Sequence, residues 1–350
     1  MKPLSDMPTT YNKPLHRFAT ITAFATFLLI IAGGLVTSTG SGLAVPDWPL
    51  SYGKLMPPMV GGIFYEHSHR MVAAFVGLLT TVLAIWVWRK DERRWIRVLA
   101  LLALLAVILQ GVLGGLTVLY LLPTGISVGH ATLAQTFFCI VGSIAFFTSR
   151  WWLSDHTPLS DMGRRPSTQT LCVAATLAVY LQLILGALMR HTYSGLAVPD
   201  FPLAYGQLFP SLSPESVSAY NQELINSNIR LAAEGAITSS QIVIHMFHRL
   251  WALVVAAMVI WTALRLRKHS SVSMRLSAFV FVLISLLLAQ ILLGAWTVLT
   301  TKAVDVTTAH VATGALLLVS CVLMTLHVVR LSGLPVFGFS FSAAREEAIA

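Results

Sequence analysis

The sequence has 350 residues, of which 56% are hydrophobic and only 11% charged, whereas an average soluble domain carries about 25% charged residues. This composition excludes an ordinary soluble domain and indicates a membrane protein. The net charge of +9 would suit nucleic-acid binding, but most of the charge lies in short connections between apolar segments.

Eight stretches of about 20 residues are almost free of charge, and each is long enough to cross a hydrocarbon core about 30 Å thick as an α-helix. In chain order they are about 18–37, 68–88, 98–120, 129–149, 169–189, 243–264, 276–299 and 307–329. The first has a basic lead typical of a signal peptide, but no small-residue cleavage site follows it, so we interpret it as a membrane helix. The sequence therefore predicts an all-α membrane protein with eight transmembrane helices.

Lys and Arg concentrate on one side of the predicted membrane. Both termini and the connections 89–97, 150–165 and 265–275 share that side and contain 17 of the 23 Lys and Arg. The positive-inside rule assigns this side to the cytoplasm. We therefore expect a multi-pass protein of the inner or plasma membrane, with both termini cytoplasmic and no nucleic-acid partner.

A segment of 17 residues occurs twice, at 41–57 and 194–210, with 13 identical positions. Equivalent points are separated by four helices, so the two halves run in the same direction through the membrane. We infer two tandem, pseudo-symmetric four-helix bundles, an architecture that builds cofactor sites from side chains on facing helices. The predicted parts are a cytoplasmic tail (1–17), a first bundle (18–149), an inner linker (150–168), a second bundle (169–329) with a long outer loop (191–241), and a cytoplasmic tail (330–350).

Four of the eleven histidines occupy equivalent places in the two halves. Both helices that carry them in each half start on the outer side, so we expect the two imidazoles of one bundle to face each other at similar depth. An ionisable group inside a membrane helix is costly and indicates a functional site. A single such histidine could instead bond a carbonyl, but four in register favour bis-His haem iron over tetrahedral zinc, which takes four protein ligands. His69 and His248 are predicted to open the second helix of each bundle, and His130 and His310 the fourth.

One position differs between the histidine-bearing helices. Glu66 lies three residues before His69, on the same helix face, whereas the equivalent residue of the second half is His245. A carboxylate at the edge of a low-dielectric pocket can exchange protons or stabilise a developing cation. The alternative is an acid that complements the helix dipole. The asymmetry suggests that one half reacts while the other holds a cofactor.

Arg70 and Arg249 directly follow the first histidine of each pair. They are expected either to bind haem propionates or to snorkel toward the outer headgroups. His67 and His245 lie near the sites but have no histidine at the equivalent position of the other half, so they are weaker candidates for iron ligands.

The duplicated segment lies just outside the membrane, before the first histidine-bearing helix of each half. Its prolines and glycines predict turns, and its aromatic and aliphatic residues supply an apolar underside. It is either a lid over a flat apolar ring or an anchor of Trp and Tyr at the headgroup level. The duplication favours a lid, because each bundle would need one.

Together these features resemble the haem A synthase family, membrane enzymes that oxidise a methyl group of haem O to the formyl group of haem A. The resemblance covers essentially the whole chain and rests on the eight helices, the motif GSGLAVPDWP and the E-x-x-H-R motif at 66–70, as well as on the paired histidines. One departure is that residues 38–65 lack the cysteine pair present in some members. The resemblance implies catalytic roles at a substrate haem for Glu66, His69 and His130, and a haem B cofactor bound by His248 and His310.

The resemblance also implies a reaction. The methyl group would be hydroxylated to an alcohol and then to a gem-diol, which loses water to give the aldehyde, while haem B accepts electrons. A haem O synthase would supply the substrate and a terminal oxidase would take the product. Membrane lipids would surround the protein in this interpretation. The sequence leaves open whether the protein forms a homo-oligomer.

Two other readings compete. A non-catalytic di-haem b-type cytochrome would also place bis-His sites near one face, although pure electron transfer gives no reason for Glu66 in only one half. A haem or small-molecule transporter would share the internal repeat, but transporters place broken helices near the midplane, and here the polar groups cluster toward the outer ends.

Overall fold

A computed structural model describes residues 11–154, 165–229, 235–268 and 274–332. Over these ranges the chain forms ten α-helices and one 3-10 turn, and no β-strand. The helices are α1 (Lys13–Ser38), α2 (Gly61–Lys90), α3 (Arg94–Leu119), α4 (Thr124–Phe147), α5 (Arg150–Leu153), α6 (Thr168–His191), α7 (Pro214–Asn226), α8 (Ser239–Arg267), α9 (Met274–Leu299) and α10 (Val304–Ser332), with the 3-10 turn Ser194–Leu196 after α6.

Eight of the described helices, all except α5 and α7, are long and apolar enough to cross a membrane. Each coincides with one of the eight spans predicted from the sequence, which confirms the all-α, multi-pass membrane fold. The predicted tails fall mostly on residues 1–10 and 333–350, which lie outside the described residues.

Several helices begin earlier than the hydropathy indicated. The 30 residues of α2 span about 45 Å at 1.5 Å per residue, more than the roughly 30 Å of a hydrocarbon core. The first turns of α2 are polar, so a hydropathy reading does not detect them. The prediction that His69 and His248 open their helices was therefore wrong: they lie more than two turns after Gly61 and Ser239, where α2 and α8 begin.

The eight membrane helices form two rings of four. In the first ring α2 and α4 each contact α1 and α3, and in the second α8 and α10 each contact α6 and α9. The rings meet through α1 with α10, α4 with α6, and α4 with α10. Exchanging α1 with α6 and α4 with α10 leaves this contact set unchanged, as a pseudo-twofold axis between the bundles requires.

The apolar core of each bundle fills its inner half. In the first bundle it includes Leu15, Val87 and Ile144, and in the second Leu266 and Leu331. These residues lie toward the inner ends of their helices. The outer half of each bundle is left for the histidines.

The long outer loop of the second half is described over residues 191–229 and 235–241. It contains α7, whose apolar face joins a separate cluster with Val198, Ala204 and Ile242. The rings of Tyr205 and Tyr220 stack with their centroids 3.7 Å apart. The helix α7, which has no counterpart among the described helices of the first half, therefore packs against the second copy of the duplicated segment.

Candidate functional site

The two histidines predicted to pair in each half lie on helices of the same ring. His69 is on α2 and His130 on α4, and His248 is on α8 and His310 on α10. All four are half-buried. That the two imidazoles of one bundle face each other stays a prediction.

The helix segments around these histidines are not fully buried. On α2 no residue between His67 and Val76 is buried, and on α8 none between His245 and Val255. The surroundings of each histidine are therefore partly accessible.

Each paired histidine rests on a glycine of a neighbouring helix. A methyl group built on that glycine would come within 3.0–3.2 Å of the imidazole Cε1, closer than ordinary van der Waals contact. Glycine is therefore required for the ring to lie this close to the neighbouring helix. The pairs are Gly33 with His69, Gly114 with His130, Gly186 with His248, and Gly294 with His310.

Three of the four histidines also contact a glutamine. Gln110 donates from Nε2 to the carbonyl oxygen of His130 at 2.9 Å, and Gln182 donates to that of His248 at 3.1 Å. The same amide nitrogens lie 3.2–3.3 Å from the imidazole rings. In the second bundle, the Nε2 of Gln290 lies 3.4 Å from the Nε2 of His310. These glutamines were not predicted from the sequence, although each lies four residues before its glycine.

The polar atoms at these sites fit a haem iron. The Nδ1 atoms of His69, His130 and His310 are buried without a hydrogen-bond partner, which is rare in folded proteins. In the described part of the chain, no group of three or more His, Cys, Asp or Glu could hold a metal ion. Two imidazoles with buried, unpartnered ring nitrogens are the donor set of a bis-His haem, so the residues present fit the group.

Glu66 ties the first bundle to its outer loop. Its Oε2 accepts from the backbone N–H of Val45 at 2.8 Å, and its Oε1 accepts from Arg70 at 2.6 Å. Only 4% of Glu66 is exposed. The carboxylate thus lies under the duplicated segment, on the same helix as His69.

Arg70 and Arg249 make equivalent hydrogen bonds in the two halves. Each guanidinium donates to three backbone carbonyls of its copy of the duplicated segment: Asp47, Leu50 and Val45 for Arg70, and Leu203, Val198 and Asp200 for Arg249. These bonds anchor each copy of the segment to α2 or α8. Binding of haem propionates by the two arginines stays a prediction.

His67 and His245 also bind the loops. The Nδ1 of His67 lies 2.9 Å from the Ser51 hydroxyl, and that of His245 lies 2.8 Å from the Ser194 carbonyl oxygen. Arg249 donates from Nε to the Nε2 of His245 at 2.9 Å. In the second half a histidine thus stands where the first half has Glu66.

The two copies of the duplicated segment fold alike. In the first, Asp47 accepts from the backbone N–H groups of Tyr52 and Gly53, and Asp200 makes the matching bonds in the second. The hydroxyl of Tyr52 donates to the Ala44 carbonyl, and Tyr205 does the same in its copy. The bonds from Gly53 and Tyr52 lower the pKa of the exposed Asp47 carboxyl, so this turn stays intact at neutral pH.

Trp48 reaches from the first loop to α3. A methyl group on Gly115 would lie 2.6 Å from the Trp48 ring, so the indole packs directly on the backbone next to Gly114, which seats His130. The second half has Phe201 and Ala295 at the equivalent positions. In the second half the smaller phenyl ring is therefore matched with alanine, which is larger than glycine.

Two cations of the second half, Arg190 and Lys302, were not singled out from the sequence. Arg190 donates to Ser38 and Gly34 of α1, and none of its hydrogen-bond partners in the described structure is a carboxylate. Burial, followed by the charge of Arg190, lowers the pKa of Lys302. The equivalent residues of the first half, Thr37 and Leu122, are uncharged, and only this comparison of the repeats could have revealed the two cations.

Comparisons with known proteins agree with this geometry. The family COX15-CtaA, described as cytochrome oxidase assembly protein, matches residues 16–322. The heme A synthase of Halalkalibacterium halodurans is 34% identical over 215 residues, which cover 58% of this chain and 68% of the relative. That of Shouchella clausii is 31% identical over 213 residues, 59% and 69% of the two chains, and that of Lysinibacillus sphaericus is 32% identical over 218 residues, 61% and 69%.

Proposed function

This chain belongs to the COX15-CtaA family of cytochrome oxidase assembly proteins, and we propose that it is a haem A synthase, an oxidoreductase that converts haem O into haem A. The observation that carries the proposal is the asymmetry between two otherwise matching sites: both bundles hold a pair of imidazoles, but only the first has a buried carboxylate beside them. The names of its relatives support the same activity.

The first bundle is the substrate site in this proposal. His69 and His130, on α2 and α4, bind the iron of haem O. Glu66 lies one helical turn from His69 and under the loop, where a carboxylate can act on the ring edge. In the second bundle His248 and His310 hold haem B, which when bound supplies a one-electron acceptor.

The reaction consists of two oxidations of one methyl group. The methyl becomes an alcohol and then a gem-diol; each step takes one oxygen atom from a water molecule and releases two electrons and two protons, and loss of water from the gem-diol gives the formyl group. The electrons leave one at a time and pass to an acceptor outside this chain. Removing electrons from the methyl carbon develops positive charge beside the ring. The ionised Glu66 carboxylate stabilises that charge and takes up the released proton.

The outer loops limit the access of bulk water to this chemistry. Arg70 and Glu66 are bonded to each other and to the loop backbone, so the carboxylate and the lid are held by one network. Limiting bulk water strengthens each electrostatic interaction within the site. The same network lets substrate binding and the position of Glu66 influence each other.

Haem propionates need cations at the outer end. Arg70 and Arg249 are candidates, although both guanidinium groups already contact loop carbonyls. In the second bundle Arg190 and Lys302 offer further positive charge. Buried cations of this kind are stabilised by carboxylates, which supports retention of haem B there.

The orientation follows the charge distribution. We place both termini and the basic connections in the cytoplasm and both haem sites toward the outer face. A haem O synthase is the supplier and a terminal oxidase the consumer. The isoprenoid tail of haem O lies among apolar helices, so substrate and product can move through lipid.

The matching imidazole pairs also favour a second candidate, a di-haem b-type cytochrome that only transfers electrons. The two functions differ in the haems that the purified protein contains. We would express the chain in a cell that makes haem O but no haem A, and separate its haems beside those of Glu66→Gln. Haem A or its alcohol precursor in the wild type, with haem O accumulating in the variant, supports the synthase; haem B alone in both overturns it.

A further inference from the structure

Two buried hydroxyls occupy equivalent places about one helical turn before the second histidine of each pair. Ser127 lies three residues before His130 on α4, and Thr307 lies three residues before His310 on α10. Residues three apart share a helix face, so each hydroxyl lies on the face that carries the histidine, about 4.5 Å nearer the start of the helix. The two halves therefore match at this position as they do at the histidines.

Neither hydroxyl has a hydrogen-bond partner in the described part of the chain, although the Ser127 Oγ and the Thr307 Oγ1 are both buried. Only 2% of Ser127 is exposed. A hydroxyl inside a helix commonly donates to the carbonyl oxygen four residues earlier, and Thr132 of α4 does so, to Val128 at 2.8 Å. A buried polar atom without a partner is unfavourable and rare. The same omission at two equivalent places therefore indicates a partner that binds there.

The start of α4 favours an anion as this partner. Its N-cap residue, Pro123, makes no side-chain cap bond, and its first turn contains no acid, so no side chain of α4 offsets the positive end of the helix dipole. A hydroxyl in this turn is suited to donate to a carboxylate. The first turn of α10 contains Asp305, but this residue lies two positions before Thr307 and therefore on a different face of the helix.

We propose that Ser127 and Thr307 are positioning residues that donate hydrogen bonds from their hydroxyls to a propionate carboxylate of the haem in their own bundle. This inference rests on the proposed function, because it needs both bundles to bind haem. The histidines hold the iron and the hydroxyl holds the edge of the ring, so the ring cannot turn about the axis through the iron. In the first bundle this orientation decides which methyl group lies beside Glu66.

The test measures haem release from the full-length protein purified with its haems. Transfer to excess apomyoglobin is followed by absorbance, and His69→Ala and His248→Ala identify the phases that belong to the first and the second bundle. Ser127→Ala should speed release from the first bundle, and Thr307→Val release from the second. Each change should be roughly tenfold or more, because a hydrogen bond to a charged group is lost.

Matched variants separate positioning from packing. Ser127→Thr and Thr307→Ser exchange the hydroxyl residues of the two halves and should preserve slow release. Thr132→Val removes a hydroxyl that already donates to a backbone carbonyl and should leave release unchanged. Resonance Raman spectra report on the bond to the carboxylate itself: the propionate bending modes should shift in Ser127→Ala and in Thr307→Val, and should stay at the wild-type position in Ser127→Thr.

Neither measurement depends on the formation of haem A. Unchanged release in Ser127→Ala and Thr307→Val, or equally fast release in Ser127→Thr and Ser127→Ala, would overturn the inference even if the wild type makes haem A. Faster release without a shift of the propionate modes would also overturn it, because the hydroxyl would then act on something other than the carboxylate. If rates and modes change as expected while no haem A forms, the proposed function fails and the positioning role stands.

Discussion

Four glycines allow the paired histidines to pack closely against neighbouring helices. A glycine beneath each imidazole lets the ring lie against a neighbouring helix at a distance that even alanine would not allow. Glycine in a helix is unfavourable by roughly 1 kcal/mol relative to alanine, so four such positions in register indicate a requirement of the site.

Gly114→Ala should disturb the first site. Its methyl group would meet the Cε1 of His130 at 3.2 Å, and overpacking of this kind typically costs about 1–3 kcal/mol. We expect a weaker and spectrally altered first-bundle haem, measured by haem titration and by electron paramagnetic resonance.

The control for this substitution lies on the same helix. A methyl group on Gly111 meets no atom within 4 Å, so Gly111→Ala should leave haem binding unchanged. Equal effects of the two substitutions would show that the glycines matter for the helix and not for the imidazole.

Lys302 gives a prediction about pH. Its folded-state pKa is below the ordinary value of 10.5, so the charged ammonium destabilises the protein below that pKa, and the cost disappears as pH rises toward 10.5. Lys302→Leu, which copies Leu122 of the first half, should therefore raise the melting temperature of the haem-free protein at pH 7, and less so at pH 10. Differential scanning fluorimetry across pH measures this.

The same substitution should weaken haem retention in the second bundle if Lys302 faces propionates. Lys54 is exposed in the first outer loop, so Lys54→Leu is a control for the loss of one charge. A wild-type melting temperature and wild-type haem content in Lys302→Leu would contradict both parts of the prediction.

At the scale of elements, the first copy of the duplicated segment packs against α3 through Trp48 and Gly115. Gly115→Ala places a methyl group 2.6 Å from the Trp48 ring, whereas the second half combines Phe201 with Ala295. We expect Gly115→Ala to lower stability and activity, and the added Trp48→Phe to restore much of both. Thermal unfolding of the two single variants and the double variant gives the coupling, on the order of 0.5–3 kcal/mol for contacting residues.

Additive effects in that cycle would contradict a direct contact between the loop and α3. The corresponding cycle in the second half, Phe201→Trp with Ala295→Gly, is the matched test. The double variant should keep wild-type stability, whereas Phe201→Trp alone should be less stable.

The helices and their repeat could be predicted from the sequence because hydropathy and internal identity report them directly. The ends of α2 and α8 could not, because their outer turns are polar and continue as helix beyond the hydrocarbon. The histidine pairs and Glu66 were visible as ionisable groups at equivalent places. Arg190 was missed because a polar residue near a predicted helix end is also explained by the headgroup region. Gln110 lies within a predicted span and was missed because one uncharged polar residue in an apolar segment does not reveal its partner, which only the packed structure shows.

The whole molecule consists of two copies of one four-helix bundle, and the copies differ at a few polar positions. The first copy has an acid, Glu66, and one imidazole without a glutamine, His69. The second has His245 where the first has the acid, and Arg190 and Lys302 where the first has Thr37 and Leu122. In the proposed function these few differences separate a site for chemistry from a site that retains a cofactor.

The contact between the bundles places the two sites side by side. The helices α4 and α10, which carry His130 and His310, pack against each other. In the proposed function, electrons pass between the bundles across this pair of helices.

The measurement that tests this division most directly is the haem composition of two single variants, His69→Ala and His248→Ala, purified from a cell that makes haem O but no haem A. The account predicts that His69→Ala retains haem B and contains no haem O or haem A, whereas His248→Ala loses haem B and retains unconverted haem O. If both variants lose the same haem, or if His248→Ala still produces haem A, the two bundles do not divide the work as proposed.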